Sequence, residues 1–251
     1  MKILLIVVVV LALTGFIAVQ VLKRKLVHTI CRMGAAKVYR QLRGVFGGEH
    51  TFRSATREEF DELDYSAYDS VREVLTSRSY RFLGGVEDTT VTESDPDRRT
   101  LIELFVDPTG TLCVASYQVE DSQISDVLSV NEEGRYLLTT NAELDRLTPP
   151  PFVDRHSSPG GTPIATLLSA HEERRAESQA WSQLETFPSL EDVSALMRRY
   201  TKQVSEYRQS IGYLTKDELE AMISEPGEAA AAKIVWAEFQ KLSEIADADA
   251  A

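Results

Sequence analysis

Residues 101–119 read LIELFVDPTGTLCVASYQV. Two apolar-rich runs flank Asp107-Pro108-Thr109-Gly110. Asp suits the first turn position, Pro fixes φ at the second, and Gly accepts the fourth. The stretch reads as a β-hairpin. With a simple four-residue turn, Ile102, Leu104 and Val106 share a face with Cys113, Ala115 and Tyr117. A bulge at Gly110 would slip that register and move the cysteine to the other face.

Working outward, a strand is expected over about residues 80–86, then an exposed polar loop over 87–99. A second hairpin runs from 124–130 through Asn131-Glu132-Glu133-Gly134 to 135–140. Thr56-Arg57-Glu58-Glu59 is a capping box that predicts a helix to about residue 76. Residues 49–148 therefore read as an α+β domain, an antiparallel sheet of about five strands with a helix packed across one face.

Downstream, Pro149, Pro150, Pro151, Pro159, Gly160 and Gly161 predict an exposed connector over 149–161. Residues 162–251 read as a helical region. Thr162 and Pro163 open a helix to about residue 183. Ser189-Leu190-Glu191-Asp192 and Thr215-Lys216-Asp217-Glu218 open two more, and a last one covers about 228–245. Val193, Met197, Tyr200, Val204, Tyr207 and Ile211 are spaced 4, 3, 4, 3, 4, which makes an a/d seam. Such a seam either packs internally against the helices from residues 162 and 228, or docks a protein partner or a second copy of the chain.

Residues 3–22 read ILLIVVVVLALTGFIAVQVL and hold no charge. As a helix they reach about 30 Å, the thickness of a hydrocarbon core. The run is too long for a cleaved signal peptide and lacks a small-x-small site before Lys23. The expectation is a single-pass signal anchor over 1–22, with membrane lipid as its partner. Residues 23–48 then form a basic juxtamembrane helix and linker. Lys23, Arg24, Lys25, Arg32, Lys37, Arg40 and Arg43 make a collar suited to anionic headgroups. The positive-inside rule puts the C-terminal side in the cytoplasm, an external domain being the alternative. Leu26, Ile30, Gly34, Val38 and Leu42 recur every four residues as an apolar stripe. Gly44, Gly47 and Gly48 read as a flexible joint.

The whole chain of 251 residues carries 27 Lys+Arg and 39 Asp+Glu, a formal charge of −12. Residues 1–43 hold +8 of it, leaving −20 for the rest. That balance argues against nucleic acid as a partner. Cys31 and Cys113 have no metal-ligand spacing, and His28, His50, His156 and His171 form no paired ligand set. His171-Glu172-Glu173 lies on an apolar helix side and reads as packed. Asp154-Arg155-His156-Ser157-Ser158 contains triad residue types, but adjacency in sequence does not create triad geometry. Asp95-Pro96-Asp97 and Asp247-Ala248-Asp249 lack the glycine and closing glutamate of a calcium loop. No phosphate-binding loop is present, and no catalytic, metal or cofactor site is expected. The leading expectation is a non-enzymatic interaction, scaffold or sensor module at the cytoplasmic membrane face. The alternative is a membrane-tethered small-ligand-binding or hydrolytic domain, with its pocket between the sheet and its helices.

Overall fold

A computed structural model describes residues 25–119, 122–142, 147–222 and 229–250. The expected span at 3–22, with Lys23 and Arg24, lies outside them. Among the described residues no helix is long and apolar enough to cross a membrane. The chain divides into two compact units, one of residues 1–43 with 211–251, the other of residues 44–210.

The larger unit is α+β around one mixed seven-stranded sheet, in the order β1(Phe52–Ala55), β2(Arg81–Asp88), β3(Ile102–Val106), β4(Cys113–Val119), β5(Ser122–Val130), β6(Tyr136–Thr140), β7(Val153–Ser157). Pairing is antiparallel through β6, and β7 runs parallel to β6. The expected five strands become seven because β1 and β7 are short edge strands with little apolar pattern. β7, VDRHS, buries only Val153. It falls inside the expected 149–161 connector. Edge strands of this polar kind resist further pairing, and that same polarity hides them in sequence.

The hairpin register pairs Leu104 with Ala115 and Val106 with Cys113, so Ile102, Leu104, Val106, Cys113, Ala115 and Tyr117 do share a face. Gly110 and Gly134 close the two hairpins with φ of +74° and +75°, a region open to glycine and strained for other residues. β3 is buried along its whole length. One face of the sheet carries Phe105, Val114 and Val127 against α2(Tyr65–Ser77) and α4(Ile164–Ala176). The other carries Val86, Ile102, Leu104 and Cys113 against α5(Leu190–Ser210).

Three local expectations change. The Thr56/Glu59 capping box forms, yet it closes only a 3-10 turn over Arg57–Glu59. Phe60 turns fully inward against Ala55 and Leu101, and α2 starts afresh under an Asp64 cap. The polar 87–99 segment contains α3(Thr89–Ser94), capped by the Asp88 carboxylate at Val91 N–H. The joint near Gly47 and Gly48 is tied down, since Gln209 donates to Phe46 O at 2.9 Å and Ser205 to Gly48 O at 2.9 Å. Backbone polar groups in a glycine-rich stretch need partners as much as any others.

Two buried carboxylates fasten helices and turns to the sheet. Glu103, the second residue of β3, accepts from Arg57 at 2.7 Å and Arg72 at 2.8 Å. Glu87 on β2 is held by Arg53, by Arg99 at 3.0 Å and by Thr92 at 3.0 Å. A buried charge requires such partners. Tyr68 joins α2 to two strands, donating to Leu101 O at 2.8 Å and accepting from Gln118 N–H at 3.0 Å.

The smaller unit holds α1, residues 25–45 up to Arg43, with α6(Lys216–Met222) and α7(Ala229–Ala250). Tyr39 of α1 meets Phe239 of α7 edge-on at 5.3 Å and Tyr213 at 5.7 Å.

Tyr68→Phe should lower stability by about 1–3 kcal/mol, because it leaves Gln118 N–H and Leu101 C=O buried without this partner. Urea unfolding of the full chain measures it.

Candidate functional site

The apolar face that receives α5 is not filled by it. Cys113 and Ala115 are small, and α5 reaches this face with Val193, Leu196, Met197 and Tyr200. Between them lies a cavity of about 1280 Å³. Its inner wall includes Ile102, Leu104, Leu128 and Leu138. Glu62, Asp64, Pro96 and Asp97 line it while exposed to solvent, which places its mouth beside the α3 segment. Well-packed interiors leave few voids larger than a water molecule, so a space of this size is a ligand-scale feature.

α5 is fixed at its start by a reciprocal cap, with Ser189 N–H donating to Asp192 Oδ2 at 3.0 Å and Asp192 N–H to Ser189 Oγ at 3.2 Å. The seam lies on its inner side. Val193 is buried, Tyr200 meets Tyr136 edge-on at 5.0 Å, and Tyr207 meets Phe152 at 6.5 Å. Val204 lines a second cavity of about 210 Å³ with Tyr200, Thr201 and Arg208. Ile211 follows the end of α5 and belongs to the other unit. The seam from 193 to 207 thus packs against the sheet, whereas the sequence suggested the helices from 162 and 228. The physical reason is the sheet's second apolar face, which must be covered, while α4 lies on the opposite one.

The mouth and walls carry six carboxylates: Glu62, Asp64, Asp88, Asp95, Asp97 and Asp126. Among the described residues two cationic side chains line the same space, His50 and Arg99, and each is engaged by a carboxylate. Tyr117 donates to Asp126 at 3.0 Å. Among the described side chains the lining thus holds more carboxylates than cations, and like charges gathered around low-dielectric walls favour a negative potential.

His50 meets Asp88 Oδ2 at 2.5 Å through Nδ1 and the Val45 carbonyl at 2.6 Å through Nε2. Both partners are acceptors, so the imidazole satisfies both only when doubly protonated. Burial works to lower its pKa, but the Asp88 and Val45 bonds outweigh it and hold it above 6.5. Neither ring nitrogen is left to activate a nucleophile. His171 is the opposite case. It lies fully buried on the α4 side between Thr139 Oγ1 and Ser129 Oγ, each 3.1 Å away. Burial, with Arg175 and Arg174 nearby, lowers its pKa to about 3. Burial also pushes the Cys113 thiol up to about 12, which makes it an inert wall of the cavity.

The other sequence candidates do not converge. Asp154 pairs with Arg174 at 2.5 Å, Arg155 donates to Leu147 O at 2.6 Å, and His156 is exposed, so Asp154 to Ser157 lie on the edge strand β7 and form no triad with Ser158. Asp95 and Asp97 border the mouth, and no metal-ligand group occurs among the described residues. The side chains of Asp247 and Asp249 lie outside the described ones. Of the collar, Lys25, Arg32, Lys37, Arg40 and Arg43 are exposed on α1. The cavity itself was not read from sequence, although the shared face of small Cys113 and Ala115 beside Leu104 was its available signal. No family model, curated protein or solved structure matches the chain.

The two histidines set opposite pH limbs. His50 contributes stability that is complete below pH 6.5 and is lost as pH rises through its raised folded pKa. His171 is held neutral, so stability is lost as pH falls from 6.5 toward about 3. Two-dimensional NMR of the four imidazoles should show His50 titrating above 6.5 and His171 near 3. His50→Phe should flatten only the alkaline limb of a Tm-against-pH curve.

Proposed function

We propose that this chain is a membrane-tethered binding module for a small amphiphile, with an apolar body and an uncharged or cationic head. The observation that carries this reading is the cavity of about 1280 Å³ between the sheet and α5. Its volume accommodates a drug-sized or single-chain lipidic molecule, and its apolar interior with a few polar groups at one end suits that chemistry. The electronegative mouth selects the head, since an anionic group there would face carboxylates whose cationic neighbours are already engaged. Binding is favoured over hydrolysis because both nitrogens of His50 are occupied by Asp88 and Val45. Packing of the 193–207 seam against the sheet weighs against that seam as a docking surface for a partner protein.

The uncharged run at 3–22 supports a single-pass anchor in this proposal, and the basic collar supports a cytoplasmic placement of the binding unit. The tether enters that unit through the 46–48 backbone that α5 holds. A sensor that reports a membrane-partitioning molecule needs both features, a surface address and a pocket.

The chain contains four methionines, and among the described ones only Met197 lines the cavity. In full-length protein in nanodiscs with 13C-methyl-labelled methionine, dodecylamine or dodecanol should shift the Met197 signal and leave Met222 in place. Dodecanoate should bind at least about tenfold more weakly, given the carboxylate-rich mouth. Ala115→Trp, which fills the space, should abolish the Met197 response. Equal responses to all three chains, or none, would count against the reading.

A further inference from the structure

On α1, Leu26, Ile30 and Met33 are 60%, 59% and 68% exposed, and Val27 is 40% exposed. Among the described residues the only other large exposed apolar side chain is Phe82, which lies under the Arg72 guanidinium at 4.3 Å. The cluster on α1 has no such cover. Its positions i, i+4 and i+7 form one helical face. The opposite face, with Cys31, Ala35 and Tyr39, is buried, and Tyr39 packs on Phe239 of α7. α1 is therefore apolar on two opposite sides over its first three turns.

This explains why the fourfold repeat from Leu26 to Leu42 is not one stripe. Residues four apart advance by 400°, so each step drifts about 40° around the helix at 3.6 residues per turn. The repeat starts on the exposed side at Leu26 and Ile30, and reaches the packed side at Val38 and Leu42, both half-buried.

We propose that α1 lies in the plane of the membrane interface, with Leu26, Ile30 and Met33 among the acyl chains and Lys25, Arg32, Arg40 and Arg43 along its flank at the phosphates. The inference goes beyond ligand binding, but it rests on the anchor reading of residues 3–22. Three observations choose a bilayer as the occupant. The exposed face begins four residues after an uncharged 20-residue run, so it is delivered to a membrane surface. The exposed charged side chains on α1 are all basic, which suits anionic headgroups. If α1 instead continued straight out of the bilayer, Met33 would stand about 16 Å above Leu22, in water with no reason to be apolar. Lys37, centred on the same face, is long enough to reach back to the phosphates from below its backbone.

Full-length chain carrying Cys31→Ser and Cys113→Ala is reconstituted in vesicles containing a quarter phosphatidylserine. Single cysteines at Leu26, His28, Ile30 and Met33 are labelled with an environment-sensitive fluorophore, and brominated lipid is used as the quencher. The expected pattern is periodic, with quenching at 26, 30 and 33 at least about threefold stronger than at 28. A steady decline from 26 through 28 and 30 to 33 would mean a helix continuing out of the bilayer, and would overturn the proposal. Absence of quenching with efficient disulfide cross-linking between copies at position 33 would assign the face to a second chain instead. Failure of the chain to remain with the vesicles in alkaline carbonate would overturn the anchor reading, and this proposal with it.

Discussion

β3 is buried from end to end, and that single constraint organises the larger unit. A central strand with two apolar faces demands cover on both sides. α2 and α4 meet one face and α5 meets the other. The demand is met unequally. Phe105, Leu75 and Leu167 are fully buried in the first layer, whereas small Cys113 and Ala115 leave a space beneath α5 in the second. The hollow follows from side-chain size on one register of one hairpin.

Charge keeps that arrangement in place. Glu103 and Glu87 would be costly if unpaired, and each recruits arginines from outside its own strand. Arg57 stacks on Tyr65 and Arg99 on Phe60, so the same cations also pack on the rings that line the edges of the sheet. His50 does the same at the chain's entry, joining the end of α1 to the start of α3. Residues 45–50, the cavity rim and α5 are thereby one hydrogen-bonded neighbourhood within residues 44–210.

Much of this fold was legible in the sequence. The Asp107–Gly110 turn marked the hairpin and the face its strands share, and the caps at Ser189 and Thr215 marked true helix starts, because turn and cap chemistry are local. What escaped was decided at a distance. The Thr56 box was genuine but could not reveal that Phe60 is drawn inward four residues later. β1 and β7 owe their existence to neighbours' free edges and have little pattern of their own. The seam at 193–207 was visible as a seam, but nothing local distinguishes a helix or a sheet as its partner. The cavity required knowing that a helix covers the face of Cys113 and Ala115 from the far end of the chain. The apolar span at 3–22 is a strong sequence signal that stands outside the described residues.

The central claim is that the space between β4 and α5 is a binding site for an uncharged or cationic amphiphile. A crystal structure of the full chain grown with dodecylamine tests it most directly. The account predicts an alkyl chain lying between Leu104 and Met197, with its amine toward Glu62 and Asp97. An α5 collapsed onto Ala115, with the amine bound elsewhere or not at all, would contradict it.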